Sequence, residues 1–146
     1  MHSEDSQTVP QSIVKVLLVS PFEKDHQHLQ AILQRSRWQQ HGVRTQTGAL
    51  EFLRHSPVPV VICEGELPDG TWKDVLTELG RMPRPPLLVV TSRLADDRLW
   101  LEVLNLGAYN VLAKPLNSKE VFHVVSLAWL LWKRQWECAQ PLARTA

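Results

Sequence analysis

An alternation of two kinds of segment restricts the fold of this chain more than any other feature. Short, dense apolar runs recur between longer stretches whose apolar residues follow helical spacing. A strand covered on both faces reads as a continuous apolar run, and the crossover to a parallel neighbour needs a helix, so the pattern predicts βαβ units. The predicted strands are "IVKVLLVS" (13–20), a weak "VRTQTG" (43–48), "PVPVVIC" (57–63), "LLVVTS" (87–92) and "YNVLA" (109–113). Between them the first helix is predicted over 25–42, with Leu29, Ile32 and Leu33 at helical spacing and Gly42 as terminator. Further helices are predicted over 49–56, 71–80 and 95–107, and a last one from about Asn117 to about Trp136. The proline-rich "RMPRPP" (81–86) stops any helix before the fourth strand. Five strands and five helices in alternation make an α/β fold, a doubly wound five-stranded parallel sheet. Function in such sheets gathers outside the C-terminal ends of the strands.

A length of 146 residues, 44% of them hydrophobic, suits one domain with a sizeable core. The expected division is a flexible lead-in over 1–12, a domain over 13–137 and a tail over 138–146 too short to be an output domain. Sixteen Lys and Arg against fifteen Asp and Glu leave a net charge of +1, which argues against nucleic-acid binding. Two cysteines, Cys63 and Cys138, make neither a disulfide framework nor a metal-ligand pattern and fit a reducing compartment. The polar N-terminus has no signal core, and no stretch is apolar enough for a membrane span, so the expected location is the cytoplasm, away from membranes.

Four of the predicted strands deliver a polar side chain to the C-terminal edge: Ser20 after the first, Glu64 after the third, Thr91 after the fourth and Lys114 after the fifth. Together with "EGELPDG", "VVTS" and "GAYNVLAKP", this set resembles the receiver domain of two-component response regulators over about residues 13–132. The resemblance implies the strand order 2-1-3-4-5. Pro68 fixes the register that puts Glu64 at the position of the phosphoacceptor aspartate, Thr91 at the switch hydroxyl and Lys114 at the phosphate-binding lysine. Pro115 then follows a peptide bond that is typically cis in this family.

The departures from the family pattern carry the functional expectation. Receivers hold a divalent cation with an acidic pair after the first strand; here the pair reads Ser20 and Pro21, and Glu23 is set by different backbone. No metal and no cofactor are therefore expected. Glutamate at position 64 displaces an attacking oxygen by a methylene, a misplacement on the order of 1 Å that costs about a hundredfold. No catalytic residue is expected, and the chain reads as a non-enzymatic interaction module. Val111 stands where receivers often carry the aromatic that turns on activation.

Two readings of Glu64 compete. As a built-in mimic of phosphoaspartate, it directs charge toward Thr91 and Lys114. As a structural partner of Lys114, it only balances an ammonium, and this reading is favoured because a phosphoryl group brings about −1.5 to −2 charge that one carboxylate lacks. Rival functions are a receiver phosphorylated at an unusual site and a small-ligand sensor using the same crevice. His26, His28, His41, His55 and His123 lack metal-ligand spacing and are expected in solvent.

The last helix, "VFHVVSLAWLLWKRQWECA" (121–139), is apolar on more than one stripe. Val121, Val125, Ala128 and Trp132 suit the sheet face. The surplus, Phe122, Leu127, Trp129 and Leu130, together with Trp100 and Leu101 of the fourth helix, predicts an interface. In receivers the face of fourth helix, fifth strand and fifth helix serves dimerisation and effector contact. The resemblance thus implies a kinase, an effector or a second copy of the chain as partner, with a homodimer expected. Alternatively, Trp129, Trp132 and Trp136 pack on a neighbouring loop of the same chain.

Overall fold

The computed structural model describes the backbone of residues 14–145 and side chains through residue 137, so the predicted lead-in over 1–12 lies outside the described residues. Its main sheet is built from β1 (Lys15–Val19), β2 (Gln39–Val43), β3 (Val60–Glu64), β6 (Leu87–Ser92) and β7 (Asn110–Ala113). All pairings are parallel, in the order β2-β1-β3-β6-β7. A small antiparallel hairpin, β4 (Glu66–Leu67) with β5 (Gly70–Thr71), follows β3. Setting that hairpin aside, the five main strands have the expected order 2-1-3-4-5. The helices are α1 (Glu23–Leu33), α2 (Gln46–His55), α3 (Trp72–Leu79), α4 (Asp97–Leu106) and α5 (Ser118–Thr145).

Strand side chains alternate between faces, so each central strand supplies two cores. Leu17, Val19, Val61, Cys63, Leu88, Val90 and Val111 meet the helices α2, α3 and α4 on one face. Val16, Leu18, Val60, Ile62, Val89 and Leu112 meet α1 and α5 on the other, where Val121, Val125 and Ala128 are fully buried. Burial of each such Val, Leu or Ile is worth about 1.5–3 kcal/mol, which is why the apolar runs locate these strands so well.

The boundaries around β2 differ from expectation. The first helix ends at Leu33, not 42, because Ser36 Oγ donates to the Leu33 carbonyl (2.7 Å) and accepts from Trp38 N (3.1 Å), turning the chain. Gln39 N then donates to Val14 O (2.8 Å) and starts an edge strand at 39–43, where 43–48 was expected. The sequence of β2, "QQHGV", is polar because an edge strand half in solvent needs no apolar run. The second helix starts at Gln46, three residues earlier than predicted. Thr45 Oγ1 caps it by accepting from Gly48 N (3.0 Å), and Asp69 adds two bonds from the backbone of Gln46 and Thr47. The last helix continues to Thr145, so most of the predicted tail over 138–146 is helical; no glycine interrupts that stretch.

Candidate functional site

The ends of β1, β3, β6 and β7 bring Ser20, Glu64, Thr91 and Lys114 to one crevice, as predicted. Glu64 and Thr91 are register partners across β3 and β6, and Thr91 Oγ1 lies 3.4 Å from Glu64 Oε1. Lys114, placed by the parallel run of β7 beside β6, reaches back so that its Nζ lies 2.6 Å from Glu64 Oε1. The peptide bond between Lys114 and Pro115 is cis.

A residue absent from the sequence reading completes the cluster. Asp25, in the first turn of α1, places Oδ2 3.0 Å from Lys114 Nζ, so one ammonium bridges two carboxylates. The side chains of Lys114, Asp25 and Glu64 are only 8%, 11% and 12% exposed. Ser20, fully buried, donates from Oγ to Asp25 Oδ2 at 2.6 Å and accepts from Phe22 N at 3.1 Å. The Phe22 ring covers the ammonium at 4.8 Å, a cation–π contact that closes the crevice from the solvent side. Asp25 was legible in principle: it precedes Leu29 and Leu33 by four and eight residues on the buried stripe of α1. A carboxylate on that stripe needs a buried partner.

The remaining predicted positions fall as follows. Pro21 supplies no side-chain ligand, and its carbonyl accepts from Arg44 Nη1 (3.3 Å). Glu23 pairs with Arg44 at the surface, outside the crevice, and that guanidinium holds its carboxyl below the ordinary value. Val111 is buried in the core with α4. Cys63 packs under Glu64, and burial, with the Glu64 charge adding to it, pushes its thiol up to about 12. His26 is not in solvent, contrary to expectation; its Nε2 lies 2.8 Å from the Ser20 carbonyl. His41 stacks on Phe52 with ring centroids 4.0 Å apart.

The predicted interface divides. Trp100, Leu101, Leu127 and Leu130 are exposed on α4 and α5, and Leu104 and Leu131 join them. Phe122 and Trp129 are not surplus: both pack against the core between the sheet and α1 and α5, and Phe122 meets Trp38 edge-on at 4.8 Å. Trp38, which follows α1, supplies the extra apolar surface that the helix pattern of 121–139 did not reveal. Trp132 and Trp136 pack on a loop of the same chain, their rings 4.4 and 3.8 Å from the Arg84 guanidinium.

No family model matches the chain. Over 129 residues it is 30% identical to the aerobic respiration control sensor proteins ArcB of Escherichia coli and Shigella flexneri, covering 86% of this chain but 16% of those proteins. Among solved structures it is similar to the signal receiver domain of an HD domain-containing protein from Pseudomonas fluorescens. That likeness has a TM-score of 0.77 and 25% identity, over 86% of this chain and 93% of that one. The signal receiver domain of a Luxo repressor protein from Vibrio parahaemolyticus shares the fold at a TM-score of 0.77 and 22% identity, over 84% and 95%. The chain thus has the fold and strand order of response-regulator receiver domains, with Glu64, Thr91 and Lys114 together at the C-terminal strand ends.

Proposed function

We propose that this domain is a phosphorylation-independent interaction module, a receiver whose acceptor site is closed by an internal ion cluster. The observation that carries the reading is the Lys114 ammonium held between Asp25 and Glu64 under the Phe22 ring. In an active receiver a divalent cation offsets the carboxylates. Here a side-chain cation already does so.

The residues present do not fit a magnesium ion. Magnesium asks for near-octahedral oxygen ligands close to 2.0–2.1 Å. Of the two carboxylates in reach, both are bonded to Lys114, and Asp25 also accepts the Ser20 hydroxyl proton. Among the described residues no group of three or more His, Cys, Asp or Glu is placed to hold a metal. Glu64 in this reading is the structural partner of Lys114, and the domain has no catalytic activity of its own.

Output passes through binding at the edge where α4 and α5 flank β7. The partner is a kinase, an effector or a second copy of the chain, and the exposed Leu101, Leu104, Leu127 and Leu130 support a self-associating surface. Among the described residues no helix is long and apolar enough to cross a membrane, and a reduced, buried Cys63 is compatible with work in the cytoplasm.

The test is a titration with magnesium, then with magnesium and beryllofluoride, followed by tryptophan fluorescence and light scattering. A flat response with an unchanged dimer mass is expected. A saturable response with a change of mass overturns the proposal and makes the domain a switch that opens its Lys114 cluster for the metal.

A further inference from the structure

At the edge of the sheet opposite the acceptor crevice lies a cavity of about 530 Å³ that the receiver function does not use. Its floor is apolar, formed by Leu53, Val58 and Met82 from α2, the start of β3 and the loop after α3. Its rim is cationic: Arg54, Arg81 and Arg84 line it with Glu78 as the one carboxylate, a lining charge of +3 − 1 = +2. The size is within the range of small-molecule sites, and an apolar floor with a few convergent polar groups is their usual composition.

The three arginines are differently engaged. Arg54 pairs with Glu51 and Arg81 with Glu78, both through exposed bridges that an incoming anion can replace at small cost. Arg84 has no carboxylate partner among the described residues. Its guanidinium lies against the rings of Trp132 and Trp136, and its Nε is buried with no hydrogen-bond partner. A buried donor left unmade is costly, and an oxygen anion is the group that satisfies a guanidinium best. The tryptophans hold the guanidinium against α5 while the same side chain lines the cavity.

From the +2 rim, the apolar floor and the unpartnered Arg84 we infer that this cavity binds a small amphipathic monoanion, an aliphatic carboxylate whose tail lies on Leu53, Val58 and Met82. Because Arg84 touches Trp132 and Trp136, occupancy changes the surroundings of the α5 tryptophans. The cavity lies at the other end of the sheet from the Lys114 cluster, so its occupancy does not depend on whether that crevice is closed.

Octanoate titrated into the full chain, followed by calorimetry and tryptophan fluorescence, tests it, with 1-octanol as the neutral comparison. Saturable one-to-one binding of octanoate is expected, weaker binding of octanol, and a loss of about tenfold or more in octanoate affinity on Arg84→Gln. Arg54→Gln, at an exposed rim position of α2, keeps the test sound if Arg84→Gln fails to fold; it is expected to weaken octanoate and leave octanol unchanged. Absence of saturable octanoate binding overturns the inference. So does equal affinity for octanoate and octanol, or octanoate affinity unchanged in both variants.

Discussion

Ser20 Oγ donates a 2.6 Å hydrogen bond to Asp25 Oδ2, so the neutral residue that ends the first strand is joined to a carboxylate from the first turn of the next helix. Asp25 of α1 thereby brings a carboxylate into the crevice beside Ser20, where it also pairs with Lys114. Removal of this carboxylate leaves a buried hydroxyl without its acceptor and the ammonium with one partner fewer. Asp25→Ala is expected to destabilise the domain by about 1–3 kcal/mol, measured as a lower urea midpoint. A midpoint equal to wild type means that the cluster contributes nothing to the fold.

Lys114 has the opposite role, since it is the cation that two carboxylates share. Lys114→Met leaves Asp25 and Glu64 facing one another in a site almost closed to water, at a cost of about 3–5 kcal/mol. Combining it with Asp25→Asn and Glu64→Gln removes both stranded charges and is expected to restore much of that loss. Urea unfolding of the single and triple variants decides the matter: if the triple variant is the less stable, charge is not what links these residues.

How far the sequence revealed this arrangement depends on what each residue's environment demands. The central strands were legible because burial on both faces leaves only apolar residues there, as in "VVIC" of β3. Glu64, Thr91 and Lys114 were legible because strand ends fix their register. The edge strand β2 was not, since a half-solvated strand obeys no apolar pattern. Asp25 escaped because a charged residue at the start of a helix reads as a dipole partner at the surface. Only the depth of α1 against β1 shows that position 25 faces inward. Phe122 and Trp129 were misplaced for a related reason: the pattern of α5 says how many apolar stripes it has, but Trp38, far away in sequence, covers one of them.

Asp69 ties the β4–β5 turn to α2. Its carboxylate accepts from Thr47 N (3.0 Å), Gln46 N (2.8 Å) and Thr47 Oγ1 (2.8 Å), and the backbone donors hold its carboxyl below the ordinary value. A carboxyl lowered in the folded state stabilises fully above its unfolded value near 4, and that contribution fades as pH falls through the folded value. Asp69→Asn is therefore expected to lower the urea midpoint at pH 7, with the difference from wild type narrowing below about pH 4. A difference that stays constant from pH 7 to pH 3 rules out the ionised cap.

Cys63 lies fully buried beneath the cluster with its thiol pushed up to about 12, so almost no thiolate exists at pH 8. In a Cys138→Ser background, a disulfide reagent is expected to leave the native protein unmodified over hours and to react at once in denaturing urea. Fast native reaction would mean that β3 opens readily and that the crevice above it is not closed.

The exposed leucines of α4 and α5 bear on self-association, and their neighbours provide the control. Leu101 is 62% and Leu130 50% exposed, whereas Phe122 is held against Trp38 within the chain. A charge at an exposed leucine therefore disturbs a partner without disturbing the fold. Leu101→Glu with Leu130→Glu is expected to convert a dimer to a monomer by light scattering while the urea midpoint changes little. Phe122→Ala, by contrast, is expected to lower stability by about 1–3 kcal/mol, because the half-buried ring packs on Trp38 and the core and leaves that contact empty. A wild-type chain that stays monomeric at high concentration sinks the homodimer, and the same leucines then belong to a different protein partner, whose binding the double variant should abolish.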